Sequence, residues 1–208
     1  VINNIEKSSS LFLMKTLFTM VYAFITILRN ELFPFDTQMM MLLELAVIGL
    51  GSFALSMQPN DKKVEGRFIG YLVSHSIPAA MILIFNVSVI ELLARYCYVA
   101  PNILPHNVKD TLNMAALTFG GIAYLHIICK PYDVYRFTLV SFITLVSTLF
   151  LCTPQLMAFL DKPALFYEFG KYWGNIALLV AMISIDVYIG AGFTALINLI
   201  GKMIKKRK

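Results

Sequence analysis

Six long apolar stretches, separated by short polar segments, dominate the pattern of this chain. They have the length and composition of membrane-spanning helices, since about 20 residues cross roughly 30 Å of hydrocarbon. They are too long and too uniformly apolar for the alternating strands of a β-barrel. The predicted fold is therefore all-α, a single polytopic transmembrane helical bundle over residues 1–208 whose six spans cover about 11–32, 39–57, 68–94, 112–129, 137–152 and 175–200.

The segments between the predicted spans are rich in proline, asparagine and aspartate, which end helices and open loops. Their basic residues predict the orientation, because membrane proteins keep more lysine and arginine in cytoplasmic loops. If the N-terminus is inside, the inner segments hold eleven lysines and arginines and the outer segments hold five. The sequence thus predicts that the N- and C-termini are both cytoplasmic.

The composition agrees with lipid as the main solvent of this chain. Hydrophobic residues make up 59% of it and charged residues 14%, whereas a soluble domain carries roughly 25% charged residues. The net charge of +5 does not indicate nucleic-acid binding, because the basic residues lie between and after the apolar spans. Membrane lipid is the predicted partner, and no nucleic acid is predicted.

Motifs of soluble enzymes are absent from the sequence: there is no Walker loop, no GxGxxG, no HExxH and no serine elbow. The three cysteines give neither a metal motif nor a disulfide framework. His75 and His126 lie near the inner ends of spans, a setting more typical of a packing residue than of a ligand. Asn86 is expected to hydrogen-bond between helices, and Glu91 to reach solvent at the outer face.

Lys15 lies inside the first predicted span, and ionisable groups at membrane depth are costly enough to be functional by default. Residues spaced by three or four lie along one helix face. Here that face is polar, with Lys15, Thr19, Tyr22 and Thr26 along it and Thr16 beside it. Such a stripe is expected to face protein or water. The alternative is that Lys15 extends its long side chain to the inner headgroups.

Glu44 lies more than one turn inside the second span, too deep for a short side chain to reach the headgroups. Gly49 and Gly51 follow it, where they allow another helix to approach or loosen the backbone. A carboxylate beside accessible carbonyl oxygens suits Ca²⁺, which takes roughly 6–8 oxygen ligands. Glu44 is therefore a candidate metal ligand, with Ser52 on the same transport path. The alternative is a structural carboxyl group hydrogen-bonded to a neighbouring helix.

Asp186 lies near the centre of the sixth predicted span, with Gly190 and Thr194 on the same face. That face is expected to pack inward. Two roles remain open for its carboxylate. It is a second candidate metal ligand beside Glu44, or it is the partner that keeps Lys15 charged by offsetting its desolvation.

The first sixty residues resemble a known family. Asn3–Ser8 runs into an apolar helix containing Lys15-Thr16, the short loop Pro34–Gln38 follows, and Leu42–Leu45 opens a glycine-broken helix ending in Met57–Asn60. This pattern resembles the C-terminal half of the membrane domain of P-type cation-transporting ATPases, and within them a bacterial group related to calcium exporters. The resemblance implies that the six spans are the fifth to tenth membrane helices of such a pump. Beyond residue 60 it is only topological.

The resemblance also implies site residues. Thr16 and Thr19 fall where the family's fifth helix places Asn and Glu ligands, and Glu44 falls where its sixth helix carries an Asn ligand. Lys15 resembles a lysine of proton-pumping members that serves as an internal counter-cation, and is expected to replace a second or counter-transported ion. Three positions depart from the family by losing ligand oxygens or a proline: Val47, Ile48 and Gly51. At most one divalent cation is therefore expected, instead of two calcium ions.

The resemblance further implies that this chain is a piece of a longer protein. The actuator, phosphorylation and nucleotide-binding domains and the first four membrane helices would precede it, and ATP and Mg²⁺ would act there. The chain alone is expected neither to hydrolyse ATP nor to pump. Residues 3–10 are expected to couple the phosphorylation domain to the site, with loop 59–67 as a second contact. The basic tail 202–208 is expected to touch anionic headgroups.

Three readings of function follow from the sequence. The leading one is the cation-translocating part of an ATP-driven pump in a bacterial plasma membrane, exporting Ca²⁺ or a similar divalent cation. The alternative is a self-contained secondary transporter or channel subunit that uses Lys15, Glu44 and Asp186 as a proton or ion relay. A third is a scaffold protein whose membrane charges are structural.

Overall fold

The computed structural model describes residues 2–58, 68–96, 106–166 and 169–206, which fold into helices with no strand among them. Six of these helices are long and apolar enough to span a membrane, which confirms the predicted all-α fold class. The helices are α1 (Ile2–Arg29), α2 (Thr37–Met57), α3 (Phe68–Tyr96), α4 (His106–Ile128), α5 (Val134–Cys152), the short α6 (Pro154–Ala158) and α7 (Phe169–Lys206). The loop 59–67 and the basic side chains of 202–208 lie outside the described part of the chain.

The helix ends are set by local polar groups. Asp36 caps α2 by accepting a backbone N–H at 2.7 Å. Asp133 caps α5 in the same way, through the N–H of Arg136 at 2.8 Å. Such caps satisfy donors that have no partner inside the helix. Asn30 takes a positive φ of 52°, so α1 ends three residues before the predicted boundary.

The other predicted boundaries lie within six residues of the observed ones, apart from the start of α1. That helix begins at Ile2, because the segment before the apolar stretch continues the same helix. The sequence did not predict α6, whose first residue is Pro154. Proline is well tolerated there, since the first N–H groups of a helix have no partner inside it.

The second span, α2, is not a uniform α-helix. A π-helical segment, Leu43–Leu50, joins the α-helical parts Thr37–Leu42 and Gly51–Met57. A Cβ built on Gly49 would lie only 3.1 Å from the carbonyl oxygen of Glu44. In this wide π-helical turn the backbone of Gly49 therefore lies close to the carbonyl of Glu44, where a side chain would be crowded. π-helical turns are rare in proteins overall, and those that occur often lie at functional sites.

The central helix of the bundle is α4. In its most apolar stretch 83% of the residues are buried, against 28% in α1, 22% in α5 and 24% in α7. It packs against α2, α3, α5 and α7. Two adjacent glycines allow close approach: a Cβ on Gly120 would lie 2.9 Å from Leu83, and one on Gly121 would lie 2.5 Å from Leu43. Small residues at helix interfaces serve this purpose in membrane proteins.

Lys162 ties together the end of the bundle that lies opposite the start of α1. Its ammonium lies 2.8 Å from Asp110 of α4 and 3.4 Å from Asp36 at the start of α2. Burial lowers the pKa of Lys162, but the hydrogen bonds and charges of Asp110 and Asp36 outweigh it and leave the pKa raised. Three chain segments are thereby joined through one cation.

Replacing Lys162 with methionine is expected to lower the thermal unfolding midpoint of the detergent-solubilised protein near neutral pH. The substitution leaves two aspartates facing each other without their shared cation. Because the pKa of Lys162 is raised, its contribution is present at neutral pH and is lost only as the pH rises through that value. Asp161→Asn, at the exposed neighbouring position, is the control, and equal midpoints for the two variants would contradict the bridging role.

Candidate cation site

An ion pair between Lys15 and Glu44 joins α1 to the π-helical segment of α2. The ammonium nitrogen lies 2.5 Å from Oε1 of the carboxylate, and the side chains are 31% and 40% exposed. Glu44 is the second residue of the π-helical segment. Two of the residues that the sequence singled out are therefore brought into direct contact, in the middle of two apolar helices.

This pair lies at the rim of the α1–α2 interface. Met14 and Phe18, which flank Lys15 along α1, are fully buried, whereas Phe12 and Met20 on the other side of that helix are more than half exposed. Leu45, next to Glu44, is also mostly exposed. One side of the ion pair consequently contacts the core, and the other side faces outward from the described bundle among apolar side chains.

The predicted polar stripe of α1 follows the same rim. Tyr22 and Thr26 are buried, Lys15 and Thr19 are partly buried, and Thr16 is exposed. The hydroxyl of Thr16 donates to the carbonyl of Phe12 at 3.1 Å, and that of Thr19 donates to the carbonyls of Lys15 and Thr16. Both hydroxyl oxygens keep lone pairs that a cation can use. The stripe faces protein at one end and the outside of the bundle at the other.

The π-helical segment offers few side-chain oxygens besides Glu44. Val47 and Ile48 are buried in the core. Ser52 is buried about two helical turns from Glu44, and its hydroxyl donates to the carbonyl of Ile48. The backbone carbonyl of Ser52 accepts from Ser8 of α1 at 3.0 Å. Ser52 thus helps to hold α2 on α1 and does not contact the ion pair.

Asp186 is the residue that the structure keeps apart from this pair. It is fully buried on α7, and Oδ2 accepts from Nδ2 of Asn86 on α3 at 2.9 Å. The expectation that Asn86 bonds between helices is confirmed. The suggested pairing of Lys15 with Asp186 is wrong, because the carboxylate that Lys15 contacts is that of Glu44. The expected inward packing of the Asp186 face is found at Gly190, which is buried against Ile82 and Ile127, but not at Thr194, which is exposed.

A polar network that the sequence did not predict joins the start of α1 to three other helices. Nδ2 of Asn4 donates to the backbone carbonyl of Gln58 at 2.5 Å. The side chain of Gln58 donates to Asp133 at 2.5 Å and accepts from Nε of Arg136 at 2.8 Å. The ammonium of Lys7 donates to the last carbonyl of α4, that of Ile128, at 2.9 Å. The hydrogen bond that Asp133 accepts from the backbone N–H of Arg136 is the main cause that lowers the pKa of Asp133.

At the other end, a cavity of about 700 Å³ lies between α1, α3 and the loop after α1. Glu91 lines it, paired with Lys109 at 3.2 Å and accepting from Asn113 at 3.0 Å. Glu31 and Arg95 form a second ion pair there. The hydrogen bond from Arg95 is the main cause that lowers the pKa of Glu31. Spacing along the sequence gave no signal for these pairs, because each joins different helices or loops.

The two histidines differ in setting. His75 is partly buried, and its Nδ1 lies 3.0 Å from the hydroxyl of Ser74. That contact fits the predicted role as a packing residue. His126 is exposed, with its ring 5.1 Å from the ring of Tyr132. Neither belongs to a group of three or more possible metal ligands, and no such group is present among the described residues.

The chain is similar to several cation-transporting ATPases. It is 24% identical over 164 residues to the calcium-transporting ATPase CtpE of Mycolicibacterium smegmatis, covering 74% of this chain and 21% of that protein. It is 26% identical over 150 residues to the protein of the same name from Mycobacterium tuberculosis, covering 67% of this chain and 19% of that protein. A probable cation-transporting ATPase, exp7 of Streptococcus pneumoniae, is 25% identical over 153 residues, covering 67% and 18%.

The chain thus spans about a fifth of the length of these curated relatives. No protein-family model and no solved structure matches it. The similarities support the family that the sequence resembles, the P-type ATPases. Together with the six apolar helices they indicate a multi-pass membrane protein.

Proposed function

We propose that this chain is the cation-translocating membrane portion of an ATP-driven P-type pump, and that the complete protein exports Ca²⁺ or a similar divalent cation from a bacterial cell. The observation that carries the proposal is the Lys15–Glu44 ion pair at the outward rim of two apolar helices. Charges at membrane depth are tolerated where they pair with each other or line an ion path. The relatives named as calcium-transporting support the choice of ion.

Glu44 is the proposed cation ligand, and Lys15 is its counter-cation when no ion is bound. A divalent cation that reaches the carboxylate must displace the ammonium, because both positive charges cannot share one carboxylate at 2.5 Å. The hydroxyl oxygens of Thr16 and Thr19 are the proposed additional ligands on α1. Since Val47 and Ile48 supply no side-chain oxygens, one divalent cation is the proposed limit.

The outward side of this pair requires a cover, and the first four membrane helices of the complete pump are the proposed cover. The actuator, phosphorylation and nucleotide-binding domains of the same protein would use ATP and Mg²⁺. Movement would enter through the start of α1, where Asn4 and Lys7 are bonded to the ends of α2 and α4. A pull on α1 would therefore act on the helix that carries Glu44.

The relay reading is less well supported. It needs Asp186 to exchange protons or ions with Lys15 and Glu44, whereas its hydrogen bond is to Asn86 on α3. We therefore leave Asp186 and Ser52 out of the proposed cation site and keep Lys15, Thr16, Thr19 and Glu44.

Two measurements test the proposal. The first is the coding sequence upstream of Val1, where a DKTGT-type motif is expected and an initiator methionine directly before Val1 would end the pump hypothesis. The second is transport by the complete protein in lipid vesicles. ATP-dependent Ca²⁺ uptake into inside-out vesicles is expected, and it should vanish when the aspartate of that motif is changed to asparagine. Uptake that follows a proton gradient without ATP would favour the secondary transporter instead.

A further inference from the structure

Asn86 and Asp186 leave two buried oxygens without a hydrogen-bond donor. Both side chains are buried between α3 and α7, with 1% and 0% of their surface exposed. The amide nitrogen of Asn86 donates to Oδ2 of Asp186 at 2.9 Å. The remaining oxygens, Oδ1 of Asn86 and Oδ1 of Asp186, have no hydrogen-bond partner among the residues that the structure describes. Buried polar atoms normally have a hydrogen-bond partner, so these two oxygens require an explanation.

The surroundings of the pair are apolar and tightly packed. A Cβ on Gly120 would lie 3.1 Å from the amide nitrogen of Asn86 and 2.9 Å from Leu83. One on Gly190 would lie 3.1 Å from Ile82. The pair itself offers three oxygens, whereas a hard divalent cation takes roughly six or more. The pair is therefore poorly built for a metal ion.

An ionised carboxylate at this place would have no compensating charge within the described part of the chain. The described titratable side chains on the two helices packed against α7 form no ion pair or hydrogen bond with Asp186. An isolated ionised carboxylate in an apolar interior is far more costly than the neutral acid. The titratable side chains in question are His75, Glu91 and Arg95 on α3 and Lys109, Asp110, Tyr124 and His126 on α4.

We propose that Asp186 and Asn86 form a proton-binding site in which the proton resides on Oδ1 of Asp186 and is donated to Oδ1 of Asn86. This proton is taken up from water before the helix is buried. It turns Oδ1 of Asp186 into a hydrogen-bond donor, and Oδ1 of Asn86 accepts that hydrogen bond. The two side chains form a closed ring of two hydrogen bonds, a neutral acid–amide pair that joins α3 to α7. Asp186 is a holder of a proton here and not a ligand of the transported cation.

Infrared spectroscopy of the complete protein in lipid tests the protonation directly. The difference spectrum between wild type and Asp186→Asn, near neutral pH, is expected to contain the C=O stretching band of a protonated carboxyl group. The band should shift when the aspartates are labelled with ¹³C at the carboxyl carbon. A difference spectrum that contains only the bands of an ionised carboxylate would overturn the proposal.

A variant series tests the hydrogen-bonded ring. Asp186→Asn keeps a neutral side chain with one donor and one acceptor, so its thermal midpoint is expected to stay within a few degrees of wild type. Asp186→Leu leaves the amide of Asn86 unsatisfied and should lower the midpoint clearly. Changing both residues to leucine should recover most of that loss, because no buried polar group remains.

Ser184→Ala, at an exposed position on the same helix, is the control for any substitution on α7. If Asp186→Asn destabilises as much as Asp186→Leu, the carboxylate is ionised in the folded protein and the proposed proton site is wrong. This series reads stability and not transport, so its outcome is independent of whether the complete protein is a pump.

Discussion

Glu44→Gln in the complete protein is expected to abolish ion-stimulated phosphoenzyme formation, or to raise the ion concentration needed for it by at least about tenfold. Glutamine has nearly the same shape as glutamate but lacks the negative charge that a divalent cation requires. A tenfold change corresponds to about 1.4 kcal/mol of binding free energy, a modest loss for a removed carboxylate ligand. The measurement is phosphorylation by ATP as a function of ion concentration.

Substitutions of Lys15 test whether its ammonium is the counter-cation of Glu44. If its ammonium neutralises Glu44 when no ion is bound, Lys15→Ala should change the ratio of protons to ions transported, while Lys15→Arg should largely preserve it. Arginine keeps the charge, although it places it on a larger planar group. Normal transport by both variants would mean that the ion pair of Lys15 with Glu44 is structural and that its ammonium is not a counter-cation.

Two further variants separate the role of Glu44 as a cation ligand from the role of the Lys15–Glu44 ion pair in stability. Exchanging the charges, with Lys15→Glu and Glu44→Lys together, restores an ion pair but moves the carboxylate to α1. The exchange is expected to recover folded yield relative to either single change and to leave ion dependence defective. Glu31→Gln removes a carboxylate from an ion pair outside the apolar helices, and its ion dependence should match wild type. An unchanged ion dependence in Glu44→Gln would make Glu44 a packing residue.

The sequence predicted the spans well because length and hydrophobicity decide which segments enter lipid. Each predicted span corresponds to one of the six long helices. The start of α1 was missed because its polar turns give no hydropathy signal, and α6 was missed because five residues are too few to show a periodic pattern. The predicted orientation of the termini stays a prediction. It rests on the count of basic residues alone.

The sequence singled out the charged residues of the apolar helices but not the contacts that they make. Lys15, Glu44 and Asp186 were found because charges inside apolar segments are rare. Which of them meet depends on how helices are rotated and shifted against each other, and that is decided by packing at positions such as Gly121. The π-helical segment adds a rotation after Leu43 that an ideal helical wheel does not contain. The contact between Lys15 and Glu44 could therefore not be predicted from the sequence pattern.

The polar contacts between helices were missed for the same reason. Gln58 directly follows the predicted span 39–57 and was given no role, yet its side chain bonds to both Asp133 and Arg136. Glu91 was expected to reach solvent, and its side chain is 23% exposed, but its ion pair with Lys109 and its hydrogen bond from Asn113 were not predicted. Each contact joins residues far apart in sequence, where single-sequence patterns carry no information about distance.

A bulky substitution at Gly121 is the second change for which we expect a large effect. Gly121 is buried on α4, and a Cβ placed there would lie 2.5 Å from Cδ1 of Leu43 and 3.3 Å from Val47. Gly121→Leu is expected to destabilise the folded protein by about 1–3 kcal/mol, the usual cost of overpacking. Because Leu43 directly precedes Glu44, the displaced segment should also weaken ion-stimulated phosphorylation. Thermal unfolding and the ion dependence of phosphorylation measure the two effects.

Gly192→Leu is the matched control, since a Cβ on Gly192 of α7 meets no atom within 4 Å. It should leave both the thermal midpoint and the ion dependence close to wild type. The smaller change Gly121→Ala is expected to cost less stability in a Leu43→Ala background than in the wild-type background, because Leu43→Ala removes the atom nearest to the added methyl group. If Gly121→Leu and Gly192→Leu behave alike, close packing of α4 against α2 does not position Glu44, and the site must be held from the α1 side alone.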